Sequence, residues 1–214
     1  MTGVSAVMIA YENEQKSLLR LRRDLLPALR GFDTELIVID NSARRSSLLA
    51  LSVKAARGDY RWQGGDNLLY GPAMNLAVKL ATKPYVLYVC SNHGRSRDHS
   101  WAADLLAPLE DDATVAMTGS LWPSGDPMAL GYSAELPWHH IQGGVFAARR
   151  DTLLTHPWPD GQYAHYLADL DICFRLMDAG LKLIDVPTVK SVWQDDPGSG
   201  DWKYLHIGGT SVES

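Results

Sequence analysis

Short apolar runs alternate with segments of helical periodicity along the first half of the chain. Three runs, residues 4–11, 35–40 and 85–89, are rich in β-branched or aromatic residues and too short for typical helices. Between the first two, leucines recur at helical spacing over residues 18–29, and Gly31 follows as a helix-ending residue. The alternation predicts an α/β fold whose mixed, mostly parallel sheet is flanked by helices.

The remaining pattern extends the same architecture. Pro and Gly are concentrated in the 123–137 loop and in the 193–214 tail, and no linker or repeat divides the chain, so one domain is expected. Helices are predicted at 46–57, 71–82, 101–110 and 164–180, and Gly180 caps the last of them. Residues 140–156 are predicted to form a strand followed by a helix. Further strands are predicted near 60–62, 114–122 and 181–187.

Polar residues follow four successive predicted strands. Ligands of parallel sheets bind outside the carboxyl ends of the strands, so this edge is the expected site. The residues at these ends are Tyr11, Glu12 and Asn13, then Asp40 and Asn41, then Asp66 and Asn67, then Ser91, Asn92 and His93.

Five segments in order, over about residues 4–187, resemble the GT-A fold glycosyltransferases, in particular the family-2-like group of inverting, nucleotide-sugar-dependent enzymes. The segments are VSAVMIAYENE, ELIVIDNS, NLLYGPAMN, HIQGGVFAARRDTL and ADLDICFRLMDAGLKLIDVP. The resemblance implies a Rossmann-like GT-A sheet, a nucleotide-sugar-binding half at about 1–95, an acceptor and catalytic half at about 96–192, and a flexible tail at 193–214.

The expected function is therefore transfer of a sugar from a nucleotide-diphosphate donor to a hydroxyl acceptor, with inversion. Two alternatives stay open. One is a non-catalytic module that binds a nucleotide or glycan on the same fold. The other is a sugar nucleotidyltransferase, which the glycine-free AYENEQKS segment after the first strand disfavours.

The donor nucleotide is expected near Tyr11, Glu12, Asp40 and Asn41. A carboxylate or amide at a strand end can accept a hydrogen bond from a base N–H. Asp40 and Asn41 could instead cap a helix, and Glu12 could face solvent.

Asn67 and Asn75 lie eight residues apart in a segment similar to the family's Asn-x-Gly-Tyr/Phe motif, in which Leu69 replaces the usual glycine. The resemblance favours a donor role for both amides. Asn67 could also be a turn residue.

Asp169 is the candidate general base. An inverting transferase needs a carboxylate to take the proton of the attacking hydroxyl, and the resemblance assigns that role to Asp169. Ala168 stands where the family usually has Glu. Asp171 is assigned to the acceptor side or to a bond with Arg175, one turn later. Acidic residues also suit the start of a solvated helix.

The chain departs from the family at the Asp-x-Asp metal motif, where it has Cys90, Ser91 and Asn92, followed by His93. Hard cations prefer charged oxygen ligands, so the altered motif disfavours Mg²⁺ or Mn²⁺ as a cofactor. Asn92 and His93 could instead stabilise the departing diphosphate. An altered site is preferred over a disabled one or a plain loop.

The acceptor is expected near Trp138, His140, Gly143 and Gly144. Tryptophan faces stack on sugars, and glycines let a substrate approach the backbone, although core packing or a bulge would also explain them. His206, in the tail, is a possible metal ligand. The spacing of the other histidines does not suit zinc.

Composition narrows the remaining classes. The 214 residues are 46% hydrophobic and carry a net charge of −5, which gives no indication of nucleic-acid binding. We find no signal peptide and no membrane-spanning run. Two cysteines in apolar segments, Cys90 and Cys173, are expected to be free thiols, as in a reducing cytoplasm.

Overall fold

The computed structural model describes residues 1–91, 99–122, 140–161, 164–165, 167–186 and 189. The strands are β1 (Gly3–Ala10), β2 (Asp33–Asp40), β3 (Asp59–Trp62), β4 (Tyr85–Cys90), β5 (Val115–Trp122), β6 (His140–Arg149) and β7 (Lys182–Asp185). The helices are α1 (Glu14–Arg20), α2 (Leu26–Ala28), α3 (Ser47–Ala55), α4 (Tyr70–Leu80), α5 (Trp101–Asp111), α6 (Arg150–Thr155) and α7 (Ala168–Asp178), with a π-helical segment (Leu21–Leu25) joining α1 to α2.

The strands form one sheet in the order β3-β2-β1-β4-β6-β5-β7. The pairs β1–β2, β1–β4, β2–β3 and β5–β7 are parallel, whereas β6 is antiparallel to both neighbours. The predicted mixed, mostly parallel sheet flanked by helices is confirmed. Because β6 runs the opposite way, its first residues lie at the edge where the other strands end.

Both faces of the sheet are covered. Alternate β1 residues, Ala6 and Met8 on one side and Val7 and Ile9 on the other, enter two separate apolar clusters. One cluster includes residues of the π-helical segment, α3 and α5, and the other includes residues of α4, α6 and α7. The double coverage explains why the predicted strands are apolar throughout.

The helix predicted from residue 164 begins at Ala168 instead. Leu167 adopts a left-handed conformation, with φ of +64°, and this interrupts the helix. The carbonyl of Ala164 accepts a hydrogen bond from the Gly71 backbone N–H, so it serves a tertiary contact. At the other end Gly180, with φ of +75°, follows the helix as predicted.

Cys90 and Cys173 do not form a disulfide, as predicted. In the described part of the chain, every helix is too short or too polar to cross a membrane.

Candidate active site

The candidate site lies where β4 ends and β6 begins. Val145 pairs with Val89, so the antiparallel register places Gly143 and Gly144 near the end of β4, where Cys90 and Ser91 lie. The first turn of α7 packs against the same end of β6. The fold therefore collects segments that are far apart in sequence at one edge of the sheet.

The Asp169 carboxylate is anchored at this edge. Its Oδ2 accepts a hydrogen bond of 2.9 Å from the Gly143 backbone N–H, and its Oδ1 accepts one of 3.0 Å from the Leu170 N–H. The side chain keeps 29% of its surface exposed. Asp169 is thus held in position by backbone donors while remaining open to a ligand, which is the combination that a general base requires.

Gly143 is required by this close approach. A Cβ at Gly143 would lie 3.1 Å from the Tyr70 hydroxyl and 3.3 Å from Asp169 Oδ2. These contacts are tighter than ordinary van der Waals distance, so a side chain here would displace the carboxylate or the tyrosine. Gly144, next in the strand, is buried.

His140 is the second titratable group at Asp169. Its Nε2 lies 3.8 Å from Asp169 Oδ2, and the residue is buried. Burial lowers the pKa of His140 below its usual value, and the nearby Asp169 charge offsets this only in part. The imidazole is therefore neutral at pH 7.

This burial makes stability depend on pH. The pKa of His140 is lower in the folded than in the unfolded state, because the buried imidazole resists protonation. Its contribution to the free energy of unfolding is therefore complete at pH values above the unfolded-state pKa of about 6.5. That contribution is lost as the pH falls from about 6.5 through the lower folded value. We expect His140→Gln to reduce the loss of stability between about pH 7 and pH 5, measured by urea unfolding. An equal pH dependence in both proteins would contradict the assignment.

Tyr70 is a site residue that sequence reasoning did not single out. Its ring contacts Tyr88 and Trp158 edge-on, with centroids 5.7 and 5.1 Å apart, and its buried hydroxyl has no hydrogen-bond partner among the described residues. Burial, followed by the charge of Asp169, raises the pKa of Tyr70 well above its usual value. The sequence feature that could have identified Tyr70 is its position in the NLLYG segment, because the family that this segment resembles has Tyr or Phe there.

Asp40 organises the loop after β2. Its fully buried carboxylate accepts hydrogen bonds of 3.0 Å from the backbone N–H groups of Ser42 and Ser46, and another from the Tyr60 hydroxyl. Burial alone would raise the pKa of Asp40, but hydrogen bonds from Ser42, Tyr60 and Ser46 outweigh it and lower the pKa. With both oxygens in use, Asp40 holds the loop that precedes α3, whose N-cap residue is Ser46.

Asn41 retains an unused acceptor. The residue is 3% exposed, and its Nδ2 donates to the Leu69 carbonyl at 3.4 Å. Its buried Oδ1 has no hydrogen-bond partner among the described residues. Buried polar atoms are nearly always satisfied, so this oxygen is suited to a ligand N–H or a water.

Glu12 ties the loops after β1 and β2 together. Its N–H donates to Ser42 Oγ at 2.9 Å, and its Oε1 accepts from the Ala43 N–H at 2.6 Å. This arrangement holds Glu12 at φ of +51°. The neighbouring Tyr11 is 49% exposed at the same edge, with its ring open to a ligand.

Asn67 and Asn75 have different surroundings. Asn67 is exposed, and its Oδ1 accepts a 2.9 Å hydrogen bond from the Leu69 N–H, which is turn geometry. Asn75 exchanges two hydrogen bonds of 2.8 Å with the backbone of Trp158. Its amide therefore anchors Trp158, and the predicted donor contact would have to use its second amide hydrogen or the second lone pair of its oxygen. Trp158 itself is 2% exposed and belongs to the core.

Leu69 adopts a backbone conformation that only glycine adopts without strain. Its φ of +65° and ψ of 176° lie in a region that costs other residues about 1–3 kcal/mol. The leucine side chain is 38% exposed, so its burial offsets part of this cost. The geometry matches the glycine of the resembling motif.

Leu69→Gly is accordingly expected to stabilise the protein by about 1 kcal/mol, raising Tm by about 2–4 °C in a thermal melt. Leu51→Gly is the matched control, because this exposed leucine lies inside α3, where glycine costs about 1 kcal/mol. If both variants lose stability equally, the strain at Leu69 is not real.

Asp171 forms an ion pair with Arg175 one turn later. Arg175 Nε and NH2 each lie 2.8 Å from Asp171 Oδ2, and NH2 also donates to the Pro157 carbonyl. This confirms the expected bond to Arg175. The proposed acceptor contact would have to use the second carboxylate oxygen.

The described residues do not fit a hard divalent cation at the end of β4. Cys90 is half-buried and Ser91 is 3% exposed, and a thiol and a hydroxyl are weak ligands for Mg²⁺ or Mn²⁺. Across the described ranges, no group of three or more His, Cys, Asp or Glu side chains could hold a metal. The predicted contacts of Asn92, His93, Trp138 and His206 lie outside the described residues.

This chain superposes on solved structures of other proteins. Glucosyl-3-phosphoglycerate synthase from Mycobacterium tuberculosis, in complex with Mn²⁺, UDP and glucosyl-3-phosphoglycerate, superposes with a TM-score of 0.63 at 14% identity, over 86% of this chain and 70% of that one. A mannosyltransferase from Pyrobaculum calidifontis in complex with GDP-Man and Mn²⁺ gives 0.68 at 17%, over 90% and 58%. The chain has the GT-A fold.

The similarity between this chain and these solved structures is a similarity of fold. A mycobacterial protein of 20% identity gives a TM-score of 0.63 over 86% of this chain and 65% of that one. The chain spans just over half of the mannosyltransferase's length. No protein-family model and no curated protein matches the sequence.

Proposed function

We propose that this GT-A chain is a glycosyltransferase that moves a sugar from a nucleoside-diphosphate donor to a hydroxyl acceptor with inversion. The observation that carries the proposal is the Asp169 carboxylate, anchored to the Gly143 N–H yet partly exposed, at the edge where GT-A proteins bind their ligands. The structural neighbours bind UDP or GDP-Man, which supports the donor class.

Asp169 acts as the general base. It takes the proton of the acceptor hydroxyl while that oxygen forms a bond to the anomeric carbon. The bond between that carbon and the diphosphate oxygen breaks, and the nucleoside diphosphate leaves with the electron pair. Attack opposite the leaving group inverts the anomeric configuration. His140, 3.8 Å from Asp169 Oδ2, is neutral and adds no positive charge beside the carboxylate.

The donor nucleotide occupies the loops after β1 and β2. Asn41 Oδ1 accepts a base N–H, because this buried acceptor has no partner among the described residues. Tyr11 offers an exposed ring for stacking, while Glu12 and Asp40 hold the two loops in place. Asn67 lies on the sugar side. Asn92 and His93 remain our candidates for the diphosphate.

The acceptor approaches from the β6 side. Gly143 and Gly144 leave room beside Asp169, since a Cβ at Gly143 would crowd the carboxylate. His140 and Trp138 are the side chains proposed to border the acceptor. Asp171 is a weaker candidate than His140 or Trp138 for contact with the acceptor, because it is already paired with Arg175.

Activity is expected to depend little on divalent metal, because Cys90 and Asn92 stand where the Asp-x-Asp motif has its two carboxylates. The test is calorimetric titration with UDP-glucose and GDP-mannose, with EDTA or Mn²⁺, followed by an assay of nucleoside-diphosphate release. The expected result is donor binding and turnover that change less than about threefold between EDTA and Mn²⁺.

Three results would change the proposal. Strict Mn²⁺ dependence would contradict the expectation about the metal. Tight donor binding without turnover, with any hydroxyl acceptor, would favour a binding module. Absence of binding to every nucleotide sugar would reject the function.

A further inference from the structure

A cavity lies at the opposite edge of the sheet from the candidate active site. It has a volume of about 300 Å³ and lies between the ends of α2 and α3, over the start of β2. Strand β2 links the two edges: Glu35 lines the cavity and Asp40 is five residues later, about 17 Å along the strand. The volume is at the lower end of the range for small-molecule sites.

The cavity combines an apolar floor with two arginines. Leu26, Leu29, Leu36 and Ala56 provide the apolar surface. Arg30 and Arg57 stand exposed at its lining, and neither makes an ion pair or a side-chain hydrogen bond within the described part of the chain. Two unpaired guanidinium groups beside apolar surface suit an anion with an apolar body.

The one acidic residue of the lining is already engaged. Glu35 Oε1 accepts hydrogen bonds from Ser5 Oγ and from the backbone N–H groups of Thr82 and Lys83, and its Oε2 accepts from Thr82 Oγ1. These donors lie on the β1 and β4 side of the carboxylate. The two guanidinium groups therefore leave the cavity with an excess of positive charge.

The backbone at Arg57 provides a second, independent observation. The end of α3 is a Schellman motif, in which the Gly58 N–H bonds the Val53 carbonyl and the Arg57 N–H bonds the Lys54 carbonyl. Arg57 occupies the left-handed position, with φ of +57°, where glycine is favoured. The glycine of this turn is instead the next residue, Gly58. A Cβ there would lie 2.8 Å from Val53 and 2.9 Å from Leu36, so close packing requires the glycine at 58.

The other strained positions of this kind lie beside the candidate active site. Four non-glycine residues in the described ranges have positive φ. Glu12, Leu69 and Leu167 flank the candidate active site, and the fourth is Arg57. Such strain persists where function requires a particular side chain.

We propose that this cavity binds a small organic anion, a phosphate or carboxylate group joined to an apolar body, through Arg30 and Arg57. The anionic group pairs with the two guanidinium groups, and the apolar body rests on the leucines between α2 and β2. This site is separate from the nucleotide-sugar site and does not rest on the proposed transferase activity.

The test is calorimetric titration of the full chain with phenyl phosphate, compared with inorganic phosphate and phenol. Phenyl phosphate should bind at one site, at least about tenfold more tightly than either fragment, because only it uses both the charge and the apolar floor. Excess UDP should not displace it. Absence of binding, or displacement by UDP, would overturn the proposal.

Arg57→Gly separates binding from folding. Glycine relieves the left-handed strain, so Tm should rise by about 2 °C, while affinity for phenyl phosphate should fall by about tenfold or more. Arg30→Ala should lower the affinity similarly with little change in Tm. Arg23→Ala is the matched control, because this exposed arginine lies outside the cavity and should leave the affinity unchanged. Equal affinity in all four proteins, or an equal loss in Arg23→Ala, would reject the site.

Discussion

Asp169→Asn is expected to lower kcat for sugar transfer by about 10²–10⁴-fold, the usual contribution of a general base. Asparagine cannot accept the acceptor's proton at neutral pH, but its carbonyl oxygen can still accept the hydrogen bond from the Gly143 N–H. The fold and the donor affinity should therefore be retained. The measurement is release of nucleoside diphosphate from the preferred donor, together with a thermal melt and a donor titration.

The matched control is Asp178→Asn on the same helix. Asp178 is exposed at the far end of α7, so its neutralisation changes the charge of the protein equally without touching the site. We expect kcat within about twofold of the unmodified protein, since surface changes of this kind have small effects. If Asp169→Asn keeps full activity, Asp169 is not the base.

Gly71→Ala is expected to have the largest effect on stability. A Cβ at Gly71 would lie 2.0 Å from the Pro159 carbonyl oxygen and 3.1 Å from that of Ala164, and both contacts are to backbone. The Gly71 N–H also donates a 2.6 Å hydrogen bond to the Ala164 carbonyl. Separating the segments should cost about 3 kcal/mol, lowering Tm by about 6–12 °C.

Gly161→Ala is the control for this substitution. It lies in the same connection, and its added Cβ would meet no atom of the described residues within 4 Å. We expect its Tm to stay within about 2 °C of the parent. A similar loss in both variants would show that the connection tolerates no change at all, and a stable Gly71→Ala would show that the α4 contact is not as close as described.

Much of the fold follows from local pattern. The runs at β1, β2 and β4 are apolar throughout because helices cover both faces of the sheet, and their lengths distinguish them from helices. The start of α7 did not follow from pattern. The residues from 164 continue a helical periodicity, but the Ala164 carbonyl is committed to Gly71, more than ninety residues earlier in the chain.

The site was only partly predictable for the same reason. Asp169, His140 and Gly143 were predicted from their motifs, and the structure brings them together. The bonds between Asn75 and the backbone of Trp158 could not be predicted, because no local pattern records that contact. The buried hydroxyl of Tyr70, which has no hydrogen-bond partner among the described residues, lies beside Gly143, more than seventy residues away in sequence.

The crystal structure of the protein soaked with a nucleotide sugar, UDP-glucose or GDP-mannose, tests the central claim most directly. We predict that the nucleobase lies beside Asn41. The anomeric carbon of the sugar should face Asp169, with room for an acceptor oxygen between that carbon and the carboxylate. A donor bound at another surface, or one whose anomeric carbon is out of reach of Asp169, would contradict the account.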